Sequence, residues 1–333
     1  MGTWGLVKTA AGVLLGVGVL AGTAVGQTKT PKPGLVVLSK EEGKLFIVDP
    51  ATLKVAGKQE TGPFPHEVAV SEDGKLAIVS NYGEKREGTS LSVIDLERME
   101  EVTKVTYPGL LGPHGIVIRG NKAYFTNEGD KTVVVFDFVA NSLDQQIAEG
   151  QKRPHMLVIT KEGTIFVSNI ESNSVSVLQA KKGKDKEWEQ TNVGVGKGPE
   201  GIDLSPDEKE VWAANSGDGT VSVIDVAKKK VVAKFDVKTK RSNRVKFTPD
   251  GKLVLISDMG SGELVVVNAA ERKEVKRLAL GKSAEGILVQ PDGARAFVAV
   301  SGDNKIAVVD LKTLEVVTTF EAGKDPDGMA WRK

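Results

Sequence analysis

All three histidines of this 333-residue chain lie at the same kind of position. Each follows a proline and precedes a short apolar segment, in FPHEVAV (His66), GPHGIVI (His114) and RPHMLVI (His155). Imidazole transfers protons near neutral pH and binds transition metals. Three imidazoles with one carboxylate or water suit zinc, copper, iron or nickel, and leave a coordination position for a substrate. Such chemistry requires an architecture that brings the three side chains together.

A repeating unit accounts for the spacing of the histidines. It comprises a turn with proline, an apolar strand, a turn such as PDGK, a second strand, a polar loop and two more strands. The unit recurs seven times, and 41 to 48 residues separate equivalent positions, close to the period of four-stranded propeller blades. We call the residue just before the first strand of each unit the anchor residue. The anchor residues are His66, His114, His155, Glu200, Asn243, Glu285 and Asp327.

Turn and strand signals inside the unit support an all-β fold. Asp-Gly stands between apolar runs in SEDGKLAIV, TPDGKLVLI and QPDGARAFV, where glycine supplies the positive φ of a tight hairpin. The third strand is rich in β-branched residues, as in VSVIDV and IAVVDL, which suits a buried strand. No helix is predicted within the repeats.

The two chain ends predict how the ring closes. After Asp327 only GMAWRK remains, enough for one strand, whereas the first unit offers three strands and lacks a first one. The seventh blade should therefore take its innermost strand from the C-terminus and its outer three from the N-terminus, which leaves no long sheet edge exposed. The predicted fold is a single seven-bladed β-propeller over residues 35–333.

The first 26 residues resemble a secretory signal peptide. Lys8 precedes an apolar, glycine-rich run, and small residues follow at a cleavage point near Gly26. An uncleaved anchor helix is the alternative. Residues 27–34 form a short polar tether, and the predicted location is periplasmic or secreted, without a membrane span after cleavage. The chain has no cysteine, which excludes disulfides and attachment of a lipid to cysteine.

Charge and composition argue against nucleic acid as a partner. The chain has 45 basic and 44 acidic residues, and removal of residues 1–26 takes away one base, Lys8, and no acid. A neutral chain with 5% aromatic residues offers little for phosphate contacts or base stacking.

The repeats resemble the YVTN-type β-propeller family of exported bacterial and archaeal proteins. The resemblance covers residues 35–332 and is clearest in GPEGIDLSPDEKEVWAANSGDGTVSVIDVAKKKVVAKF, whereas the signature tetrapeptide is degenerate, as in IVSN and WAAN. It implies a scaffold in the cell envelope that binds a small molecule or an envelope protein. Such folds host unrelated activities, so function does not follow from the fold.

In a propeller all seven anchor residues surround one mouth of the central channel. The metal hypothesis takes His66, His114 and His155 with Glu200 as ligands of a divalent transition metal. Glu200 or Glu285 would then be the catalytic base on a metal-bound water, and Asp327 would be a further ligand-binding residue. The alternative function is accordingly a metal-dependent enzyme similar to propeller lactonases and lyases. The competing interpretation is structural: PHG and PEG are consensus turns of the repeat, and their side chains bond to backbone.

Two other groups are candidate ligand-binding residues. The second strand of each blade should end at the same mouth, which predicts a polar ring of Asn81, Asn127, Asn169, Asn215 and Asp258; these side chains could instead cap turns. Arg241 and Arg244, beside Asn243, could bind a carboxylate or phosphate through a bidentate fork, or form a solvated basic loop. The inserted loop 83–88 is expected to cover the His66 side of the mouth.

Overall fold

Twenty-eight strands and two 3-10 helices make up the part of the chain that the computed structural model describes, residues 30–333. The predicted signal peptide lies outside the described residues, as do residues 27–29 of the tether. Nowhere in residues 30–333 is there a helix with the length and apolar character to cross a membrane.

The strands follow one another in chain order at short intervals. The first fourteen are β1 (Gly34–Ser39), β2 (Lys44–Asp49), β3 (Lys54–Glu60), β4 (Pro65–Val70), β5 (Leu76–Asn81), β6 (Ser90–Asp95), β7 (Glu100–Val105), β8 (Pro113–Arg119), β9 (Lys122–Asn127), β10 (Thr132–Asp137), β11 (Ser142–Ala148), β12 (Pro154–Ile159), β13 (Ile165–Asn169) and β14 (Ser174–Lys181). The remaining strands are β15 (Lys184–Gly194), β16 (Pro199–Leu204), β17 (Glu210–Asn215), β18 (Thr220–Asp225), β19 (Lys230–Asp236), β20 (Ser242–Phe247), β21 (Leu253–Asp258), β22 (Glu263–Asn268), β23 (Lys273–Ala279), β24 (Ala284–Val289), β25 (Arg295–Val300), β26 (Lys305–Asp310), β27 (Glu315–Phe320) and β28 (Pro326–Arg332). The 3-10 helices are Ile170–Ser172 and Ser301–Asp303.

The strands form seven antiparallel sheets of four strands each, which confirms the predicted β-propeller. Six sheets consist of consecutive strands, from β4–β7 to β24–β27. The innermost strand of every sheet contacts the innermost strands of both neighbouring sheets, and the series closes when β28 contacts β4. These seven innermost strands therefore line a central channel.

The seventh sheet joins the two ends of the chain, as predicted. Its order is β28-β1-β2-β3, and β28 pairs antiparallel with β1 through pairs such as Leu35↔Trp331 and Val37↔Met329. Arg332 is fully buried at this seam and donates hydrogen bonds to the carbonyl oxygen of Gly74 and to the hydroxyl of Thr30. The ends of the described chain are thus held together by backbone pairing and by one buried side chain.

The hydrophobic core lies between the sheets. The second and third strands of each sheet are covered on both faces, which explains their continuous runs of β-branched residues. Trp212 of β17, for example, packs edge-on against Phe235 of its own sheet and Phe247 of the next, with ring centroids 5.3 Å apart in each case. Every sheet therefore buries its faces only when both neighbours are in place.

Glycine follows the anchor residue in four innermost strands because adjacent strands approach closely there. A Cβ atom at Gly286 would lie 2.1 Å from the carbonyl oxygen of Asp327, and one at Gly328 would lie 2.2 Å from that of His66. Real Cβ atoms do not approach backbone so closely. The PHG, PEG and PDG sequences thus mark the contact between neighbouring blades.

We expect Gly286→Ala to lower the free energy of unfolding by about 2 kcal/mol, since the clash with backbone can be relieved only by moving a neighbouring strand. Urea denaturation would measure the change. Gly194→Ala in β15 is the matched control, because a Cβ atom there meets nothing within 4 Å. An equal effect of the two substitutions would contradict the close-approach explanation.

Candidate functional site

The seven anchor residues lie together at one end of the channel, which we call the anchor mouth. Each is the second residue of an innermost strand, rather than the residue just before it as the sequence suggested. The difference arises because the preceding residue already pairs with the second strand, as Pro65 does with Asn81 and Pro154 with Asn169. The second strands therefore end at the same mouth, as predicted.

The three histidines are neighbours in space. The ring centroids of His114 and His155 are 3.8 Å apart at an interplanar angle of 30°, and those of His66 and His114 are 5.1 Å apart. Tyr82 completes the cluster, with its ring 4.6 Å from that of His66 and 4.7 Å from that of His114. Adjacent blades thus bring their imidazoles into contact along the mouth.

The contact between His114 and His155 does not fit the predicted metal site. Imidazole binds a metal through a nitrogen lone pair in the ring plane, so two rings in contact through their faces, at an interplanar angle of 30°, do not direct their nitrogens to a common point. His155 Nδ1 is hydrogen-bonded to Glu128, and His66 Nδ1 lies 3.5 Å from Asp327 Oδ2. Glu200 Oε1 accepts a hydrogen bond from Asn243 and is 3.9 Å from His155 Nε2. Within residues 30–333, no three or more His, Asp or Glu side chains are grouped so that they could hold a metal ion.

The central feature of the mouth is the pair formed by His155 and Glu128. His155 Nδ1 is 2.8 Å from Glu128 Oε1, and both side chains are almost completely buried. The Tyr82 hydroxyl donates to Glu128 Oε2 at 2.8 Å, and Arg153 Nε lies 3.4 Å from the same oxygen. Burial alone would raise the pKa of Glu128, but the hydrogen bond and charge of His155, with the charge of Arg153, lower it. Glu128 is therefore ionised near neutral pH.

His114 is a buried, neutral imidazole. Burial, together with the neighbouring His155 and His66, holds its pKa well below the ordinary value. Its Nδ1 atom is buried and has no hydrogen-bond partner among the described residues. A buried polar atom normally has a partner, so this nitrogen has an unused capacity to form a hydrogen bond.

The opposite side of the mouth is organised around Lys40. Its ammonium nitrogen lies 2.5 Å from Glu285 Oε2, 3.3 Å from Asp325 Oδ1 and 3.6 Å from Asp327 Oδ2. Burial opposes the charge on Lys40, but the three carboxylates outweigh it and raise the pKa of Lys40. Glu285, a predicted catalytic base, also accepts hydrogen bonds from Ser283 and Ser301, so its oxygens are occupied by these partners.

Arg244 and Arg241 do not form the predicted anion-binding fork. Arg244 points inward but is buried, bonded to Glu67 and Asn243, with Asp327 Oδ1 3.6 Å away. Arg241 is exposed. The Arg244–Glu67 pair lies inside the channel, which continues beyond it as a cavity of about 340 Å³. Leu157, Ile287 and Lys246 are among the residues that line this cavity.

The predicted polar ring lies inside the blades. Its five members are fully buried: Asn81, Asn127, Asn169, Asn215 and Asp258. Asn81 Oδ1 accepts from the backbone of Gly62, and Asp258 accepts from the backbone of Lys240 and Arg241. This placement agrees with the turn-capping interpretation and lends no support to ligand binding by these side chains.

The residues that line the mouth at the ends of the second strands lie one position later in the chain than the sequence predicted. Tyr82 follows Asn81, Glu128 follows Asn127 and Lys40 follows Ser39. Successive side chains of an extended chain point to opposite sides, so when the last strand residue packs into the blade, the next one faces the channel. A tyrosine, a glutamate and a lysine at this single repeat position were the available signal.

The inserted loop 83–88 lies beside the His155–Glu128 pair. Arg86 Nη1 is 3.8 Å from Glu128 Oε2 and 3.6 Å from Glu171 Oε1, and half of the Arg86 side chain is exposed. The carbonyl oxygen of Gly88 accepts a hydrogen bond from the backbone of Gly112. The loop thus places an arginine between solvent and Glu128.

Comparisons with known proteins identify a family whose members this chain resembles. Residues 39–229 and 142–331 match the family "Lactonase, 7-bladed beta-propeller". No curated protein matches the chain. The YVTN-type repeat is not confirmed, whereas the seven-bladed architecture that it implied is.

Solved structures share the fold at low identity. One is described as a "putative 6-phosphogluconolactonase" from Bacteroides fragilis NCTC 9343, with 16% identity, a TM-score of 0.76, and coverage of 91% of this chain and 99% of that one. Kuenenia stuttgartiensis hydrazine synthase has 20% identity and a TM-score of 0.70, with coverage of 88% and 99%. Dihydro-heme d1 dehydrogenase NirN has 17% identity and a TM-score of 0.65, with coverage of 90% and 75%. Since the two family matches together extend from the first blade strand into the last, this chain belongs to the seven-bladed β-propeller lactonase family.

Proposed function

We propose that the anchor mouth hydrolyses a lactone, with His155 as the group that transfers the proton and Glu128 as its partner. The observation that carries the proposal is the buried 2.8 Å hydrogen bond between His155 Nδ1 and Glu128 Oε1. An ionised carboxylate on Nδ1 keeps that nitrogen protonated and leaves Nε2 as the base. Membership of the lactonase propeller family supports the same chemistry.

The reaction follows from this arrangement. His155 Nε2 takes a proton from water while the water oxygen forms a bond to the lactone carbonyl carbon. Glu128 stabilises the resulting imidazolium. When the tetrahedral intermediate collapses, the bond from carbon to the ring oxygen breaks, and the ring oxygen leaves as an alcohol with the proton held by His155. The carboxylic acid formed ionises and releases one proton to solvent.

Other side chains of the mouth have supporting roles. Arg153 Nε lies 3.4 Å from Glu128 Oε2, and its positive charge helps to keep that carboxylate ionised. Burial and the charge of Glu128 raise the pKa of Tyr82, so its hydroxyl stays protonated and orients the carboxylate. The unpartnered Nδ1 of His114 can bond to a polar group of the substrate.

This route differs from the metal-dependent lactonase or lyase considered from the sequence. The contact between the His114 and His155 rings and the hydrogen-bonded carboxylates do not fit a metal ion, so no step is assigned to one. The binding-scaffold hypothesis uses the same polar mouth but gives no role to an ionised glutamate on a buried histidine.

Proton release tests the proposal directly. The purified chain should release one equivalent of acid from a five- or six-membered lactone, measured in a pH-stat against the spontaneous rate. His155→Gln should lose this activity, whereas His66→Gln, on the other side of His114, should keep most of it. Failure of the folded wild-type chain to exceed the spontaneous rate with either ring size would contradict the proposal.

A further inference from the structure

The ion-pair network of the anchor mouth contains more carboxylates than cations. Beyond the Arg244–Glu67 pair, whose charges cancel, three cationic side chains face six carboxylates. The cations are Lys40, Arg86 and Arg153. The carboxylates are Glu128, Glu171, Glu200, Glu285, Asp325 and Asp327. His66 and His114 do not offset this excess of carboxylates, because burial lowers the pKa of both imidazoles and so disfavours their charged forms.

Each of these three cations is already paired. Lys40 lies within 3.6 Å of three carboxylates. Arg86 lies between Glu128 and Glu171, and Arg153 contacts Glu128. A phosphate or carboxylate on a substrate would have to displace one of these carboxylates, leaving it unpaired in a partly buried site. The lysines in the turns that precede the innermost strands, such as Lys152 and Lys282, are exposed to solvent. Salt therefore screens their charge.

The mouth does offer partners for hydroxyl groups. Asp327 Oδ1 and His114 Nδ1 are buried and lack a hydrogen-bond partner among the described residues. A carboxylate oxygen accepts from a hydroxyl, and a neutral imidazole nitrogen can donate or accept. Sugar-derived lactones carry such hydroxyls without a charge.

We infer, building on the lactone hydrolysis proposed above, that the substrate is an uncharged hydroxylated lactone and not a phosphorylated one. The negative charge of the mouth then affects both the binding of the substrate and the release of the product. It does not repel the neutral substrate, and it does repel the carboxylate that ring opening creates, which favours release of the product.

Two lactones that differ only in a phosphate test the inference. We expect kcat/KM for D-glucono-1,5-lactone to exceed that for its 6-phosphate by at least about tenfold at low ionic strength. Added salt should narrow the difference, because it screens repulsion of the phosphate and leaves the neutral substrate unaffected. Equal or faster hydrolysis of the phosphorylated lactone would overturn the inference.

One substitution tests whether the mouth carboxylates cause the preference. Glu171 is half-exposed, and its ion-pair partner is Arg86 and not His155, so Glu171→Gln should leave hydrolysis of the neutral lactone unchanged while it raises that of the phosphorylated one about twofold. Glu315→Gln on the exposed outer strand β27 is the matched control and should change neither rate. The same change in both variants would exclude a local effect of the mouth.

Binding separates this inference from the proposed reaction. In the lactams of the two sugars an N–H replaces the ring oxygen, which makes them resistant to hydrolysis. Calorimetric titration should show tighter binding of the neutral lactam, and this holds even if no lactone is hydrolysed, in which case only the proposed reaction fails. Tighter binding of the phosphorylated lactam, or binding of neither, would overturn the inference itself.

Discussion

Glu128→Gln should lower kcat/KM for lactone hydrolysis about 10³-fold, within the range that proton transfer by a positioned side chain contributes. Glutamine keeps the shape of the side chain, so the contacts with Tyr82 and Arg153 can persist. An amide carries no charge to stabilise the imidazolium of His155, and it no longer favours the tautomer with a proton on Nδ1. Because the loss arises in the transition state, kcat should fall while KM changes little.

A second buried glutamate provides the control for this experiment. Glu149 is as buried as Glu128, and its carboxylate accepts hydrogen bonds from the hydroxyl of Ser176 in the next blade and from the backbone of Gln151, not from a histidine. Glu149→Gln should therefore leave kcat within a factor of about two while it tests the cost of losing a buried carboxylate. A Glu128→Gln variant with wild-type kcat would show that His155 does not need its carboxylate, and the assigned mechanism would be wrong.

Removal of residues 326–333 should abolish cooperative folding. These residues contain β28, the innermost strand of the shared blade, and their loss would expose the whole edge of β1. Met329 and Trp331 of this strand pack on the core around Leu35 and Phe46, so their removal also uncovers apolar side chains. The truncated chain should aggregate or show no cooperative transition in urea, with far-ultraviolet circular dichroism as the measurement.

A single substitution at the seam tests the same closure of the ring with a smaller loss of stability. Arg332 donates to the carbonyl oxygens of Gly74 (2.8 Å) and Leu96 (3.2 Å) and to the hydroxyl of Thr30 (2.6 Å). Arg332→Met keeps an apolar stem but leaves the buried carbonyl oxygen of Gly74 without this donor, whereas Leu96 keeps the hydrogen bond from the Thr30 hydroxyl. The substitution should lower the free energy of unfolding by about 2 kcal/mol. Lys58→Met on the exposed face of β3 is the control. If both variants were as stable as the wild type, Arg332 would not hold the seam.

Local patterns in the sequence were sufficient for the fold. The period of 41 to 48 residues and the Asp-Gly turns predicted seven blades, because each blade is made of consecutive strands whose turns signal themselves locally. The N-terminal unit lacks a first strand, and the C-terminal end supplies one additional strand. Together these two features predicted the shared blade. The adjacency of the histidines also followed, since consecutive blades are neighbours in space.

The same patterns did not predict the pair formed by His155 and Glu128. Glu128 and Tyr82 were overlooked because the sequence does not state which side of the blade a residue at the end of a strand faces. The side chains of Asn81 and Asn127 point into the blade, where their amide oxygens accept hydrogen bonds from the backbone of turns. The side chain of the next residue therefore points to the channel. Packing of the blade, and not the type of residue, decides this alternation.

By itself the sequence determined the seven-bladed fold, the closing strand and the position of His66, His114 and His155 at one mouth, since all of these depend on repetition along the chain. Only the tertiary structure decided how their rings are oriented and paired. The bond between His155 and Glu128 joins two blades, and the ion pair of Arg244 with Glu67 joins residues 177 positions apart across the channel. Such contacts depend on the closure of the ring, which brings distant strands within a few ångströms of one another and cannot be deduced from any one repeat.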